Sequence, residues 1–233
     1  MKKKLVVLTG AGISAESGIR TFRDYDGLWN EYRVEDVCTP EGFYRNPEMV
    51  LSFYNSMRKD HLSHLPNYGH QGLVELEADY DVHIITQNID DLHERAGSQS
   101  VLHLHGEMMK VCSVKNPDLV TTLTDDDCEI HVGDLAADGG QLRPYIVWFG
   151  EAVPNMEPAI EIAKQADLFL IVGTSLNVYP AASLIAYVPT NVPVYIIDPK
   201  PVSVNTAHHV TMIQRGATEG MKELKKILKS QKI

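Results

Sequence analysis

Residues 5–18 read LVVLTGAGISAESG, and this stretch decides the fold class. Its apolar part, residues 5–8, is a short β-rich run that fits a strand buried on both faces. Gly10, Gly12 and Gly18 follow, so the order is strand, glycine turn and helix start, as in dinucleotide-binding folds. Glycines let backbone N–H groups approach a pyrophosphate, and the next helix's N-terminus adds partial positive charge. The spacing is G-x-G-x(5)-G instead of G-x-G-x-x-G, which leaves open a glycine turn that binds no ligand.

The same arrangement recurs further along the chain. Apolar runs at 82–85, 168–172 and 194–197 are each followed by small or polar residues, and Asp198 ends the last of them. A carboxylate in that position could hold ribose hydroxyls. Strands that alternate with helical segments predict an α/β fold, a Rossmann-like doubly wound parallel sheet with ligands at the carboxyl ends of its strands.

A dense polar cluster follows the run at 82–85. Residues 86–107 read TQNIDDLHERAGSQSVLHLHGE and contain amides, carboxylates and three histidines. Such a set predicts catalysis. The alternative is a solvated loop followed by a helix whose face carries His93, Glu94 and Arg95.

Composition bounds the class of protein. The 233 residues are 44% apolar and 22% charged, which is typical of a globular chain. The net charge of −10 argues against nucleic acid as a partner but is compatible with lysine-bearing protein substrates. Three scattered cysteines indicate reduced thiols, and no apolar run approaches the ~20 residues of a membrane span. The first apolar run ends too early for a signal peptide, so we expect a soluble, cytoplasmic protein.

Other segments are more ordinary. Residues 33–66 are predicted to be helical, with Thr39 as an N-cap and Pro40 at the first helical position. Residues 114–141 contain few large apolar side chains, which predicts an excursion from the main sheet. An aromatic-rich strand is predicted from Arg143 to Glu151. The C-terminal lysines fall on the solvated face of an amphipathic helix and receive no function.

Six blocks taken together carry a resemblance. They are GAGIS (10–14), TFR (21–23), TQNID (86–90), HGE (105–107), WFGE (148–151) and GTS (173–175). In this order they resemble the sirtuin family of NAD-dependent protein-lysine deacylases, and the match covers nearly the whole chain. DGLW (26–29), VEDV (34–37), TPEGF (39–43) and VYPAA (178–182) are most similar to bacterial class III members.

The resemblance implies two lobes with the substrate lysine entering between them. Residues 1–32, 71–107 and 143–233 would form the NAD-binding lobe. Residues 33–70 and 108–142 would form a small lobe, made of a helical insertion and a degenerate zinc-type module. The implied reaction uses NAD as co-substrate and yields nicotinamide, 2′-O-acyl-ADP-ribose and free lysine.

Catalytic roles also follow from the resemblance. His105 would be the general base, and a pKa near 6.5 suits that task at about neutral pH. Asp90 and the backbone of Ile89 would hold the nicotinamide carboxamide, while Asn88 and Gln87 position the ribose. We interpret His93 and His103 as structural.

The remaining implied site residues divide between cofactor and substrate. Phe22 would cover the reactive sugar carbon. Phosphates would be bound by Gly10, Ala11, Gly12, Ser14 and Arg23, and the adenosine half would lie near Gly173, Thr174, Ser175, Asp198 and Ala217. Substrate contacts are assigned to Cys38, Tyr54, Met57, Arg58 and Val178, together with Val147, Phe149, Gly150 and Glu151 as a strand to which the substrate adds.

The first departure from the family concerns zinc. Its members normally hold zinc with two Cys-x-x-Cys pairs, whereas here Lys115 and His131 replace the second cysteine of each pair. A closed zinc site needs four ligands, and only Cys112, Cys128 and His131 are weak candidates. We therefore expect no zinc and a small lobe held by packing.

The second departure concerns the acyl group. The Tyr-x-x-Arg pattern of succinyl-preferring members reads Tyr54-Asn55-Ser56-Met57, and Arg58 lies about 100° further around the helix. Cys38 stands where those relatives have Ala. Acetyl-lysine is therefore the expected substrate.

Other functions stay open at this point. They are desuccinylation or demalonylation, mono-ADP-ribosyl transfer, and non-catalytic binding of NAD or ADP-ribose, and the oligomeric state is also open. The joint presence of Asn88, Asp90 and His105 counts against a binding protein without catalysis.

Overall fold

The structure, a computed structural model, describes residues 2–21, 32–204 and 206–230. Its strands are β1 (Lys4–Thr9), β2 (Asp81–Thr86), β3 (Val101–His103), β4 (Gly106–Ser113), β5 (Val120–Thr122), β6 (Leu142–Ile146), β7 (Leu168–Val172), β8 (Val194–Ile197) and β9 (Val210–Ile213). Its helices are α1 (Gly12–Ala15), α2 (Val34–Val37), α3 (Pro40–Arg45), α4 (Pro47–Leu62), α5 (Tyr68–Leu76), α6 (Leu92–Ala96), α7 (Met156–Ala163) and α8 (Ala217–Ser230), with a 3₁₀ helix at Ala181–Tyr187.

Six strands form a parallel sheet in the order β3-β2-β1-β7-β8-β9. Strand β1 lies between β2 and β7, with Leu8 opposite Ile85 on one side and Ile171 on the other. From β1 the sheet continues through β2 to β3 on one side and through β7 and β8 to β9 on the other. The place beside β1 where the strand order reverses is the switch point of a doubly wound sheet. The predicted fold class is confirmed, and the crevice where such folds bind ligands lies beyond Thr9 and Val172.

The central strand is apolar throughout because both of its faces are covered. Leu5 and Val7 pack into a core with residues of α5 and α8, such as Leu73 and Met221. Val6 and Leu8 pack on the opposite face against α7 and the 3₁₀ helix, for example against Leu184. The continuous run at 5–8 therefore reflects burial on two sides.

A smaller antiparallel sheet has the order β5-β4-β6. Helices α2 to α4 pack on it around a third core, which includes Val37, Phe53, Val111 and Trp148. The segments predicted as the small lobe thus share a core of their own, to which Ile146 and Trp148 also contribute.

Helix starts follow the expected capping chemistry. The Thr39 hydroxyl accepts a hydrogen bond from the Gly42 amide at 3.0 Å, with Pro40 at the first helical position. Asn46 caps α4 in the same way through the Met49 amide. The region predicted as helical is therefore three separate helices, each of the last two opened by a polar cap and a proline.

Two expectations fail. The strand predicted from Arg143 to Glu151 ends at Ile146, and the chain then turns, with Gly150 at φ +93° and the Glu151 amide bonded to the Trp148 carbonyl. Helix α1 has only four residues, so it adds little of the partial positive charge expected of a helix N-terminus.

Among the described residues, no helix is long and apolar enough to cross a membrane.

Candidate active site

Two glycine turns meet at the switch point. The Gly10 amide donates to the Val172 carbonyl at 3.0 Å, and the Gly12 amide donates to the Gly173 carbonyl at 2.9 Å. A Cβ on Gly12 would lie 2.6 Å from the Gly173 Cα, and Gly173 itself has φ +63°. Side chains at these two positions would force the turns apart, so the crevice keeps a backbone surface open to a close-lying ligand.

Buried polar side chains line the floor beneath these turns. Ser14, Asn88 and Asp90 are all nearly inaccessible. The Ser14 hydroxyl donates to Asp90 Oδ2 at 3.0 Å and accepts from Asn88 Nδ2 at 3.2 Å. Asn88 Nδ2 also reaches the Gly10 carbonyl at 3.2 Å. The structure therefore joins the first glycine turn to the turn after β2.

Burial sets the charge of this floor. It raises the pKa of Asp90, which hydrogen bonds from the Leu92 amide and Ser14 partly oppose. Behind Ser14, His70 Nδ1 accepts the Asn67 amide, so Nε2 carries the proton and points to the Ser14 hydroxyl at 3.4 Å. Burial lowers the pKa of His70 to about 4 and keeps the ring neutral. A carboxylate and an amide that are desolvated in this way can fit a ligand carboxamide.

His105 lies beside the same turn. Its Nδ1 donates to the Gln87 carbonyl at 3.0 Å, and among the described residues its Nε2 has no hydrogen-bond partner. Burial lowers the pKa of His105, although the Gln87 carbonyl opposes this. The ring is thus neutral near pH 7, with the Nε2 lone pair available to take a proton.

The residue after His105 has to be glycine. Gly106 has φ +85°, and a Cβ there would lie 2.0 Å from the Tyr145 carbonyl oxygen. That turn lets β4 begin immediately after the histidine, while the Val147 amide donates to the His105 carbonyl at 2.9 Å. The His-Gly pair therefore has a packing reason as well as a chemical one.

An aromatic cluster packs against the small sheet, where the acyl pocket is predicted from the sequence. The Tyr54 hydroxyl accepts from Trp148 Nε1 at 3.0 Å and donates to Cys38 Sγ at 3.6 Å. Phe43 packs on Trp148 with ring centroids 5.3 Å apart. Burial raises the pKa of Tyr54 well above its usual value and also raises that of the Cys38 thiol, so this pocket is neutral.

Arg58 does not face this pocket as a free cation. Its guanidinium is fully buried, with Nε donating to the Met108 carbonyl at 2.8 Å and Nη1 to Asn55 Oδ1 at 2.7 Å and the Cys128 carbonyl at 3.3 Å. Burial lowers the pKa of Arg58 to about 10, which still leaves it charged. Met57, one residue earlier, packs against the third core.

Most main-chain amides of the turn at 147–151 donate hydrogen bonds to other groups of the protein. The Phe149 amide donates to the Cys38 carbonyl at 3.0 Å, and the Trp148 amide donates to Glu151 Oε2 at 2.8 Å. Glu151 also pairs with Arg143, whose guanidinium lies 3.6 Å from the Trp148 ring centroid. The Glu151 carboxylate is therefore part of the scaffold, and a substrate backbone would find mainly carbonyl acceptors here.

Other residues predicted for the cofactor lie on the same edge of the sheet. Thr174 accepts from Gln87 Nε2 at 3.1 Å, so the turns after β2 and β7 touch. Ser175 is exposed and Val178 is half-buried. Asp198 follows β8, and its carboxylate accepts from the Lys200 amide. Ala217 begins α8 in a buried position. Phe22 and Arg23 lie outside the described residues.

The degenerate zinc-type module is closed by polar contacts. The Ser113 hydroxyl donates to Asp138, whose carboxylate also accepts the Gly140 amide at 2.9 Å. Cys112 and Cys128 are buried free thiols, burial raises the pKa of Cys112, and His131 is exposed. Within the described ranges, no group of three potential metal ligands comes together.

Sequence reasoning missed several supporting residues. Glu16 caps the start of α8 by accepting the Thr218 amide at 2.9 Å, and the Thr86 hydroxyl accepts the Asn88 amide at 3.0 Å. His70 and Arg143 were likewise not predicted. Only Thr86 carried a usable signal, because it directly precedes the polar cluster. Glu16 and His70 contact segments far apart in the chain, and Arg143 pairs with Glu151 across a turn in a segment that was predicted to be a strand.

Fold and site together define a class, a dinucleotide-binding α/β fold with a neutral histidine beside the turn at its switch point. A sequence profile of the Sir2 family matches residues 10–180. An NAD-dependent protein deacylase of Bacteroides thetaiotaomicron is 56% identical over 229 residues, which are 97% of this chain and 98% of that protein. One from Helicobacter pylori is 52% identical over 222 residues, 95% of this chain and 96% of that protein.

Solved structures agree. A Sir2 homologue mutant in complex with ADP-ribose is 38% identical and superposes with a TM-score of 0.88, covering all of this chain and 95% of that one. A Sir2 homologue in complex with NAD is 37% identical with a TM-score of 0.85, covering 98% and 90%. The chain belongs to the Sir2 family.

Proposed function

We propose that this protein removes acyl groups, acetyl best of all, from lysine side chains of proteins, with NAD as co-substrate. The observation that supports this most is the state of His105, a neutral base whose Nδ1 is fixed by the Gln87 carbonyl while Nε2 is left to accept a proton. It stands beside a buried carboxylate and amides that could hold a cofactor.

The residues present fit NAD. The close-packed backbone of Gly10, Gly12 and Gly173 suits a pyrophosphate, and the buried pair Asn88 and Asp90 suits a carboxamide and a ribose. When bound, NAD supplies an electrophilic ribose carbon that receives the acyl oxygen as nicotinamide leaves. The relatives named as NAD-dependent deacylases support the same cofactor.

The chain's own groups then have defined tasks. Asp90, kept in place by Ser14 and the Leu92 amide, accepts from the carboxamide nitrogen. Asn88 and Gln87 orient the ribose. His105 Nε2 takes the proton of a ribose hydroxyl, and its Nδ1–H bond to Gln87 steadies the ring as it becomes positive.

The acyl group would enter the pocket of Tyr54, Cys38 and Trp148. The two guanidinium groups near Tyr54 make their hydrogen bonds elsewhere: Arg58 bonds through Nε and Nη1 to Met108, Asn55 and Cys128, which leaves only Nη2 without a partner among the described residues, and Arg143 pairs with Glu151. A succinyl or malonyl carboxylate would therefore shed its water there without a bidentate cationic partner. An acetyl group carries no such charge, which is why we favour it.

The partners we propose are acyl-lysine proteins. One solved relative, 30% identical with a TM-score of 0.81 over 97% of this chain and 94% of that one, was determined with a deacetylated p53 peptide. The carbonyls of the turn at 147–151 could accept hydrogen bonds from a substrate backbone. We propose a small lobe of residues 33–70 and 108–142 and a large lobe of the remaining residues, with Ile146 and Trp148 of the large lobe also packing in the small-lobe core. The three free thiols suit a reducing compartment, and we propose the cytoplasm.

The decisive experiment supplies NAD and an acetyl-lysine peptide and follows the products by mass spectrometry. Deacylation predicts nicotinamide, free lysine and 2′-O-acetyl-ADP-ribose in equal amounts. An ADP-ribosylated protein with the acetyl group intact would indicate transfer instead. Binding of NAD without any nicotinamide release would indicate a binding protein, and either result would overturn the proposal.

A further inference from the structure

His103 makes contacts that differ from those of every neighbouring histidine. It lies on β3 two residues before His105 and is 7% exposed. Its Nδ1 is 2.9 Å from the Asn88 carbonyl oxygen, and its Nε2 is 2.9 Å from Glu94 Oε1. A carbonyl and a carboxylate can only accept, so both ring nitrogens must carry a proton for both bonds to form. The geometry describes an imidazolium.

Its neighbours are neutral by the same reasoning. His105 faces one acceptor, the Gln87 carbonyl, and needs one N–H. His93 Nε2 faces the Thr9 hydroxyl, and its Nδ1 has no partner within the described part of the chain. Burial lowers the pKa of both. Burial also acts against a charge on His103, but the hydrogen bond and charge of Glu94, together with the Asn88 carbonyl and Glu107, raise the pKa of that ring.

The charged and titratable groups around His103 come from three elements. Glu94 and His93 belong to α6, Glu107 to β4, and Asp90 to the turn after β2. The two glutamates favour the positive ring, whereas His93 stays neutral. A positive His103 in turn lowers the pKa of Asp90 and opposes part of the effect of its burial.

Three successive main-chain carbonyls in the turn after β2 each accept a hydrogen bond. The Gln87 carbonyl accepts from His105, the Asn88 carbonyl from His103, and the Ile89 carbonyl from the Met108 amide at 2.7 Å. Three successive acceptors are thus bound from the segment 103–108. The central bond is the one made by a charged donor, and charged donors make the stronger hydrogen bonds.

We propose that His103, held as an imidazolium by Glu94, is a positioning residue that fixes the Asn88 carbonyl and thereby presents Asn88, Ile89 and Asp90 to NAD. The inference rests on the proposed function, since it assigns those three residues to the cofactor. His103 itself touches neither cofactor nor substrate; its effect is on the affinity of the turn.

Two isosteric variants separate the two bonds of the ring. In His103→Asn the amide nitrogen occupies the place of Nδ1 and can still donate to the Asn88 carbonyl. In His103→Gln it occupies the place of Nε2 and can donate only to Glu94. The matched control is His83→Gln, because His83 also lies near a carboxylate, 3.1 Å from Asp81, in the amino-terminal half of β2 and away from the turn.

The first measurement is the dissociation constant of NAD by calorimetry without peptide. His103→Gln is expected to weaken binding about ten-fold, while His103→Asn and His83→Gln stay within about two-fold of wild type. In steady-state kinetics His103→Gln should raise KM for NAD and leave kcat at saturation nearly unchanged. Equal affinities of the Asn and Gln variants, or a loss in kcat alone, would overturn the inference.

The second measurement is pH dependence. The pKa of His103 is raised above its usual value, so the ring is charged at neutral pH and loses one proton as pH rises through the raised value. The remaining proton stays on Nε2 beside the Glu94 carboxylate, so Nδ1 no longer donates to the Asn88 carbonyl and the NAD affinity of wild type should fall through that window. His103→Asn, whose amide donates at every pH, should not show the fall. Nitrogen-15 NMR of ligand-free wild type should find both nitrogens of His103 protonated at neutral pH. A neutral ring there would refute the proposal.

These readouts separate the inference from the proposed function. Binding and NMR need no deacylation, so they test His103 even if no acyl group is removed. Conversely, normal deacylation with unchanged NAD affinity in His103→Gln would leave the proposed function standing and reject the role of His103.

Discussion

The carboxyl edge of the parallel sheet and the lobe around the small sheet both bury polar side chains, but for different ends. At the edge, Ser14, Asn88 and Asp90 bond to one another and to the glycine turns, and they surround a crevice. In the small lobe, Arg58 and Asn55 direct their hydrogen bonds at main-chain groups of other segments. The edge arranges polar atoms for a ligand, and the lobe uses them to hold its own loops.

Side-chain hydrogen bonds from helix α4 hold the loop at 128–130 to the rest of the lobe. Asn55 bonds to both the amide and the carbonyl of Ile130, at 3.1 and 2.9 Å. Arg58 bridges the Met108 and Cys128 carbonyls, so helix α4, strand β4 and the loop at 128–130 share one polar cluster. Buried carbonyls left without donors cost stability, which makes this cluster structural.

The largest expected effect concerns the edge. His105→Ala should lower kcat for deacylation of an acetyl-lysine peptide by ~10²–10⁴, the usual loss of a general base. The melting temperature should hardly change, because only the bond to the Gln87 carbonyl is lost. Activity within about three-fold of wild type would show that another group is the base.

The second effect concerns the lobe. Arg58→Leu should lower the free energy of unfolding by about 2–4 kcal/mol, because the Met108 and Cys128 carbonyls lose their donor. Urea unfolding measures this. The control is Lys59→Ala, whose exposed ion pair with Glu129 should contribute nothing measurable. Equal stability of the two variants would mean that Arg58 does not hold the lobe.

The third prediction concerns the choice between acetyl-lysine and succinyl-lysine. The kcat/KM of wild type should be roughly ten- to a hundred-fold higher for acetyl-lysine than for succinyl-lysine on one peptide, since the succinyl carboxylate lacks a charged partner. Met57→Arg should reduce this difference in kcat/KM, because it restores a cation at the third position after Tyr54. A wild-type preference for succinyl that Arg58→Ala abolishes would assign that role to Arg58 after all.

The last prediction is that removing metal ions has no effect. Incubation with a chelator should change neither the melting temperature nor the activity, because the lobe is closed by Ser113, Asp138 and Arg58. Elemental analysis of protein purified without chelators is the complementary measurement. One zinc per chain would contradict the prediction and require Cys112 and Cys128 to act as thiolates.

The histidines show how far sequence reasoning reaches. The family blocks identified His105 and grouped it with Asn88 and Asp90, but His103, with the same side chain two positions away, gave no separate signal. Their difference depends on what each ring faces, one carbonyl for His105 and a carbonyl plus a carboxylate for His103. Those partners come from residues 87–94, and only folding sets their distances.

The sequence by itself determined the doubly wound sheet, because apolar runs that end in small or polar residues have few other ways to bury both faces. It also determined the set of side chains at the crevice, since strand ends meet at one edge. Only the tertiary structure decided which polar groups face that crevice and which are bonded to other groups of the protein, as Arg58 and Glu151 are. The physical reason is that hydrogen bonds and desolvation depend on distances between segments far apart in the chain.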